Sequence, residues 1–210
     1  MKYLPLMLDL TKTRIIIFGG GKVALRKIEY LQGADVTVVS ENFDDEILRK
    51  NVKAIRKRII DENDVKELIR ASDLVIIATS NKMVNEMILH VCEDERRFYN
   101  LVDDRKSKII FPSFYEENGI LLAISTSGRA PSLSTFIRKK LSIQIKEYAM
   151  AIDIVEKIRK SLDSHNEEIR KKFFETLFSK DEFWSLIKKG NMENAYDFAM
   201  RLWRNMYVPD

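Results

Sequence analysis

The feature that most constrains this chain is a short apolar run, RIIIF at 14–18, that stops on Gly19-Gly20-Gly21 and continues into KVALRKIEYL. An unbroken β-branched run of this length fits a strand buried on both faces, as in a parallel sheet. Ala24, Ile28 and Leu31 then recur at helical spacing, which predicts a helix over 22–32 with Gly33 as its C-terminal cap. Gly19, Gly21 and Ala24 match the pattern G-x-G-x-x-G/A. In that pattern the first glycine permits the tight turn and the second lets a pyrophosphate approach the backbone. The small third residue lets the helix pack on the strand, and the free N–H groups at the helix start meet the phosphate charge. A plain glycine-rich turn is the alternative. The strand–turn–helix order favours a dinucleotide cradle, with Gly19, Gly20, Gly21, Lys22, Val23 and Ala24 as its contacts.

The pattern repeats beyond it. DVTVV after Gly33, a short strand near VKAIRK, LVIIA at 74–78 and FYNLV at 98–102 are expected strands. Helices are expected over 62–71 and from about Lys82 to Cys92. Strands alternating with helices imply a parallel sheet with right-handed crossovers. An acid near the end of the second strand would hold the ribose hydroxyls. Glu41 is that residue, one position late, and Ser40 shares the contact. No arginine follows at once to receive a 2′-phosphate, so the reading is NAD rather than NADP. Thr79 and Ser80 end the fourth strand, where ligands of open α/β sheets bind. Asp103 closes the fifth, a position for a catalytic group or for a plain turn-starting aspartate.

After Asp104 the alternation stops. KIIFPSFY and GILLAIS are expected to pair as antiparallel strands around Glu117-Asn118-Gly119. From Pro131 the chain is helical almost to its end. Ser164 with Glu167 and Ser179 with Glu182 form two expected capping boxes, and Gly190 is an expected helix stop. Stripes such as Ile145, Tyr148, Ile152, Val155 and Phe173, Phe174, Leu177, Phe178 are expected core or subunit interface. The fold class is therefore α/β: a Rossmann-type parallel sheet at 1–112, a small α+β unit at 113–145 and a helical C-terminal domain at 146–210.

Composition limits the function. The net charge is only +4, and acids and bases are mixed through both halves, so no basic arm suggests nucleic acid. The single cysteine, Cys92, excludes an internal disulfide and argues against a cysteine-based metal site. His90 and His165 stand at no convincing ligand spacing, so no resident metal is expected. The N-terminal apolar patches are broken by Pro5 and Asp9, and the expectation is a cytoplasmic protein with no membrane contact. One local anomaly stands out: from Asn118 to Lys146 there is no Asp or Glu, while Arg129, Arg138, Lys139, Lys140 and Lys146 are present. Arg138 to Lys140 are either a solvated helix face or a polyanion contact.

GGGKVALRK (19–27), IATSNKMVN (77–85), YNLVDD (99–104), IIFPS (109–113) and LLAISTSGRAPSLSTFIRKKL (121–141), in this order, resemble the precorrin-2 dehydrogenase family of siroheme synthesis. The resemblance covers about residues 1–145. It implies NAD-dependent oxidation of precorrin-2, a polycarboxylate tetrapyrrole, to sirohydrochlorin, and in some members a second ferrochelatase activity that uses Fe²⁺ transiently. It implies Asp103 as the catalytic residue, with Asp104 sharing the role or standing by. It implies substrate contacts at Ser125, Thr126, Arg129 and Arg138, with Arg129 first because a guanidinium pairs with a carboxylate in a bidentate way. It further implies a homodimer formed through the 113–145 unit. Two other readings stay open: a chelatase with a vestigial nucleotide site, and a non-enzymatic NAD-sensing module.

Overall fold

A computed structural model of the chain describes residues 3–102, 104, 106–163 and 165–207. The chain divides into two compact units, one ending at Phe111 and one beginning at Pro112.

The first unit is a five-stranded parallel sheet in the order β3-β2-β1-β4-β5. Its strands are β1 (Arg14–Phe18), β2 (Asp35–Ser40), β3 (Lys53–Arg56), β4 (Leu74–Ile77) and β5 (Phe98–Leu101). The connections carry α1 (Lys22–Glu29), the single turn α2 (Asp45–Leu48), α3 (Asn63–Arg70) and α4 (Lys82–Asp94). Side chains of a strand alternate between faces, and β1 shows why it had to be apolar throughout. Ile15 and Ile17 pack with Ala24, Ile28, Val38 and Ile76 on one side of the sheet. Ile16 and Phe18 pack with Val65, Ile69, Ile88 and Cys92 on the other. Burial among these side chains pushes the Cys92 thiol up to about 12, so it acts as a small hydrophobe. The strand order reverses between β1 and β4, and their carboxyl ends open the crevice that such folds use for ligands.

Some boundaries differ from expectation. α1 ends at Glu29 rather than near 32, and Gly33 occupies a left-handed position (φ +92) in the turn beyond the helix. KIIF is not part of a strand. Ile109 donates its N–H to Tyr99 O at 2.9 Å, and β6 starts only at Ser113, after Pro112, which has no N–H to give.

The second unit pairs β6 (Ser113–Glu117) with β7 (Ile120–Ile124) antiparallel. Asn118 (φ +44) and Gly119 (φ +81) make the two-residue reversal that an Asn-Gly pair favours. The helices follow: α5 (Pro131–Ala149), α6 (Ile152–Ser161), α7 (Glu167–Phe178), α8 (Asp181–Lys188) and α9 (Met192–Tyr207). α6 to α9 enclose a core of Ile154, Ile158, Phe173, Leu177, Phe183, Ile187 and Trp203. Of the expected stripes, Phe173 and Leu177 are central, whereas Tyr148, Ile152 and Phe178 are exposed. The α6 register is set by Ile154, Ile158 and Leu162 instead.

The capping box expected at Ser179 and Glu182 does not form. Asn166 caps α7 by accepting the Glu168 N–H at 2.8 Å, one residue before Glu167, and Ser164 lies outside the described residues. Ser179 closes α7, its hydroxyl donating to Thr176 O, and α8 begins behind Lys180. Gly190 (φ +72) ends α8 as expected. Among the described residues no helix is long and apolar enough to cross a membrane.

Both tryptophans of the chain, Trp184 and Trp203, belong to the second unit, so intrinsic fluorescence follows its unfolding. Phe183 is fully buried there. Phe183→Ala is expected to remove about 3–5 kcal/mol of stability, seen as a lower urea midpoint of the tryptophan signal with little change in slope.

Candidate functional site

The carboxyl ends of β1, β2 and β4 converge on the glycine turn. Gly19 has φ +116, and a Cβ built on it would lie 2.4 Å from Ala78 O, so the chain leaves β1 in contact with the end of β4. The ladder continues into this corner: Ala78 N–H donates to Phe18 O at 2.8 Å, and Gly19 N–H donates to Val39 O at 2.9 Å. A Cβ on Gly20 would lie 2.3 Å from Asn42 O and 2.9 Å from the Ser40 side chain. Gly20 O accepts the Asp44 N–H at 2.7 Å, which fastens the loop after β2 to the turn. Gly21 is different. It has φ −97, a Cβ there would meet nothing within 4 Å, and it stands as the N-cap of α1 with no side chain to satisfy the first-turn N–H groups. Lys22 is exposed, Val23 half-buried and Ala24 fully buried against the sheet.

These are the features an anionic ligand needs: open space at one glycine, a helix start without a cap, and a backbone pinned by its neighbours. The cradle therefore fits a dinucleotide pyrophosphate. The three glycines divide the work, and Gly20, which the motif leaves unspecified, is required by packing against the chain itself.

Around the cradle, Ser40 ends β2 and its hydroxyl donates to Asn42 O at 2.6 Å, while Glu41 is exposed. Thr79 is half-buried and tied to the start of α4. Its hydroxyl lies 2.5 Å from Asn85 Oδ1, and its carbonyl accepts Asn85 Nδ2 at 3.0 Å. Ser80 is exposed. Two residues were not foreseen. Arg56 ends β3 opposite Ser40 in the strand register, and its Nη1 donates to Glu41 O at 3.3 Å. Only the pairing of β2 with β3 brings them together, although they are 15 positions apart in sequence. Ser107, buried, accepts the Leu101 N–H at 2.9 Å, and its hydroxyl reaches Leu101 O at 2.8 Å and Asp104 O at 3.1 Å. It thereby gathers the loop after β5. Asp103 lies outside the described residues. Asp104 is exposed, with Oδ1 accepting the Lys106 N–H at 2.8 Å.

In the second unit the turn after β7 is built from its own hydroxyls. Ser125 Oγ accepts the Ser127 N–H at 3.0 Å, and Thr126 Oγ1 accepts the Ala130 N–H at 3.0 Å. Ser127 (φ +54) and Gly128 (φ +75) reverse the chain. Arg129 is exposed at the tip. Arg138 is half-buried, and its Nε donates to Ser113 Oγ at 3.0 Å, pinning α5 to β6. His90 is exposed beside Asp94 on α4, and His165 packs edge-on against Trp203.

The glycine cradle at the switch point of a parallel β3-β2-β1-β4-β5 sheet defines a dinucleotide-binding protein of the Rossmann class. Residues 6–113 match the model of a family described as "Putative NAD(P)-binding", and the chain belongs to that family. It is similar to the siroheme synthase of Blochmanniella pennsylvanica (30% identity over 203 residues, 93% of this chain and 42% of that protein). It is likewise similar to the siroheme synthase of Actinobacillus succinogenes (33% identity over 201 residues, 93% of this chain and 42% of that protein). The chain thus spans about two fifths of the length of the curated relatives it matches. Among solved structures, "SirC, precorrin-2 dehydrogenase" shares the fold, with a TM-score of 0.72 at 22% identity, covering 93% of this chain and 99% of that one.

The glycines give a two-sided prediction. Gly21→Ala is expected to leave the melting temperature within about 2 °C but to lower NADH affinity about tenfold or more, since the methyl enters the space left for phosphate. Gly20→Ala is expected to lower the melting temperature itself, because its methyl meets the Asn42 carbonyl. Thermal melts with and without NADH distinguish the two.

Proposed function

We propose that this chain oxidises precorrin-2 to sirohydrochlorin with NAD⁺. One observation carries the reading: a complete nucleotide cradle, open at Gly21, lies in a chain that aligns over 93% of its length with siroheme synthases. The shared fold with a precorrin-2 dehydrogenase supports it.

NAD⁺ supplies the hydride acceptor when bound. The chain's residues do the rest. Gly19, Gly20, Gly21, Lys22, Val23 and Ala24 would hold the pyrophosphate and Ser40 and Glu41 the adenosine ribose, and Thr79 and Ser80 would line the cofactor after the end of β4. Loss of hydride from the macrocycle must be matched by loss of a proton, and Asp103, the residue the family resemblance implies, takes it or passes it to water. The products are then sirohydrochlorin, NADH and a proton. The acid-free stretch from Asn118 to Lys146 faces the substrate carboxylates, with Arg129 as the exposed bidentate contact. Arg138 acts there through its hold on Ser113, and Ser125 and Thr126 shape the loop and offer their hydroxyls.

In this reading residues 1–112 bind the cofactor, 113–145 bind substrate and a second copy of the chain, and 146–210 form the helical domain. Leu133, Phe136 and Ile143 lie exposed on α5 and would be covered by that second copy. The solitary buried Cys92 fits a reducing, cytoplasmic compartment. Of the activities that the resemblance implies, the geometry favours the dehydrogenase over a chelatase with a vestigial nucleotide site. A vestigial site would not retain a glycine whose only apparent use is the space beside it.

The test is anaerobic turnover of enzymatically generated precorrin-2 with NAD⁺, following NADH formation. NADH is expected from the unaltered protein. Asp103→Asn is expected to keep NADH affinity within about twofold and to lose at least ~100-fold in turnover. Normal turnover in that variant removes Asp103 from the chemistry. Absence of NADH and NADPH formation by the unaltered protein rejects the dehydrogenase and brings chelatase or sensor forward.

A further inference from the structure

The end of β2 carries an acid and the end of β3 a base, and the strand pairing holds them together. Ser40 faces Arg56 in the register, and Lys57 N–H extends the ladder by donating to Ser40 O at 3.0 Å. Arg56 is exposed. Its guanidinium lies 5.7 Å from the centre of the Phe43 ring and donates to the Glu41 carbonyl, and it forms no ion pair among the described residues. The Glu41 carboxylate is exposed as well. In a Rossmann site an acid here accepts the two ribose hydroxyls, whereas a nearby arginine receives a 2′-phosphate. This chain has both, with the arginine side chain bonded to the backbone of the acidic residue. A guanidinium without a carboxylate partner, steadied over an aromatic ring, is suited to a phosphate, and the neighbouring carboxylate repels that same phosphate.

We propose that Glu41 and Arg56 together select the cofactor: Glu41 takes the unphosphorylated ribose and excludes the 2′-phosphate, and Arg56 is a phosphate site that Glu41 masks. Removing one carboxylate therefore turns the preference from NAD(H) to NADP(H), with no arginine needing to be introduced. The inference rests on the nucleotide site of the family and not on the tetrapyrrole reading.

Direct titration of the full chain with NADH and NADPH, followed by nucleotide fluorescence or calorimetry, decides it without substrate. The unaltered protein is expected to bind NADH more tightly than NADPH. Glu41→Ser is expected to weaken NADH and to strengthen NADPH by roughly tenfold, the size of one charged hydrogen bond. Added salt should weaken that new NADPH binding more than the NADH binding. Glu41→Ser with Arg56→Gln is expected to lose the NADPH gain. Glu41→Gln serves as a second variant that keeps the side-chain volume, and melting temperatures confirm folding. Equal binding of both nucleotides by the unaltered protein, no NADPH gain in either Glu41 variant, or a gain that survives Arg56→Gln overturns the proposal. A failure of precorrin-2 turnover leaves it standing.

Discussion

The close approach of Gly19 to Ala78 is the constraint on which the site depends. Two parallel strands run side by side through the middle of the sheet, and the first must turn away at the point where the second ends. A side chain at Gly19 would collide with the Ala78 carbonyl, and the backbone there is left-handed. Glycine at this corner lets α1 begin directly above the sheet edge. Its uncapped N-terminus then points into the crevice at the switch point, where electrostatics favour an anion.

Everything else in the cradle is arranged around that corner. Gly20 is pressed against the loop after β2 and its carbonyl accepts the Asp44 N–H, so that loop is fixed to the glycine turn. Gly21 alone faces open space. The loop after β2 is stiffened twice more, by Ser40 on Asn42 and by Arg56 on Glu41. On the far side Thr79 is locked to Asn85 at the start of α4. Most of these bonds are made by the polypeptide to itself, which is how a site stays preorganised before its ligand arrives.

The second unit uses a different device. Its turn after β7 is closed by the hydroxyls of Ser125 and Thr126 beside Gly128, and Arg138, Lys139 and Lys140 of α5 lie in a stretch, 118–146, that contains no Asp or Glu. Arg138 shows that not every one of these cations is free for a ligand, since its Nε is engaged by Ser113. Arg129, at the tip, is exposed. The half-buried Arg138 thus holds the unit together, whereas the guanidinium at the rim is left to solvent.

The sequence by itself determined the parallel sheet, its strand positions, the helix after the glycines and the Asn118-Gly119 reversal. These follow from local periodicity and from backbone conformations that few residues adopt. It also marked Gly19, Gly21 and Ala24, because a phosphate cradle imposes a fixed spacing along one stretch of chain. The cap expected at Ser179 was mistaken because that residue closes α7 instead, and a one-residue shift decides which helix end a side chain serves. The α6 core face was mistaken because a stripe can be drawn through either of two neighbouring registers until a partner helix fills one. The need for Gly20, the meeting of Arg56 with Glu41 and the hold of Ser107 on the loop after β5 were decided by tertiary structure alone. Each depends on the register of one strand against another or on a loop folding back, and spacing along the chain carries no signal of which residues such pairing will bring within hydrogen-bond reach.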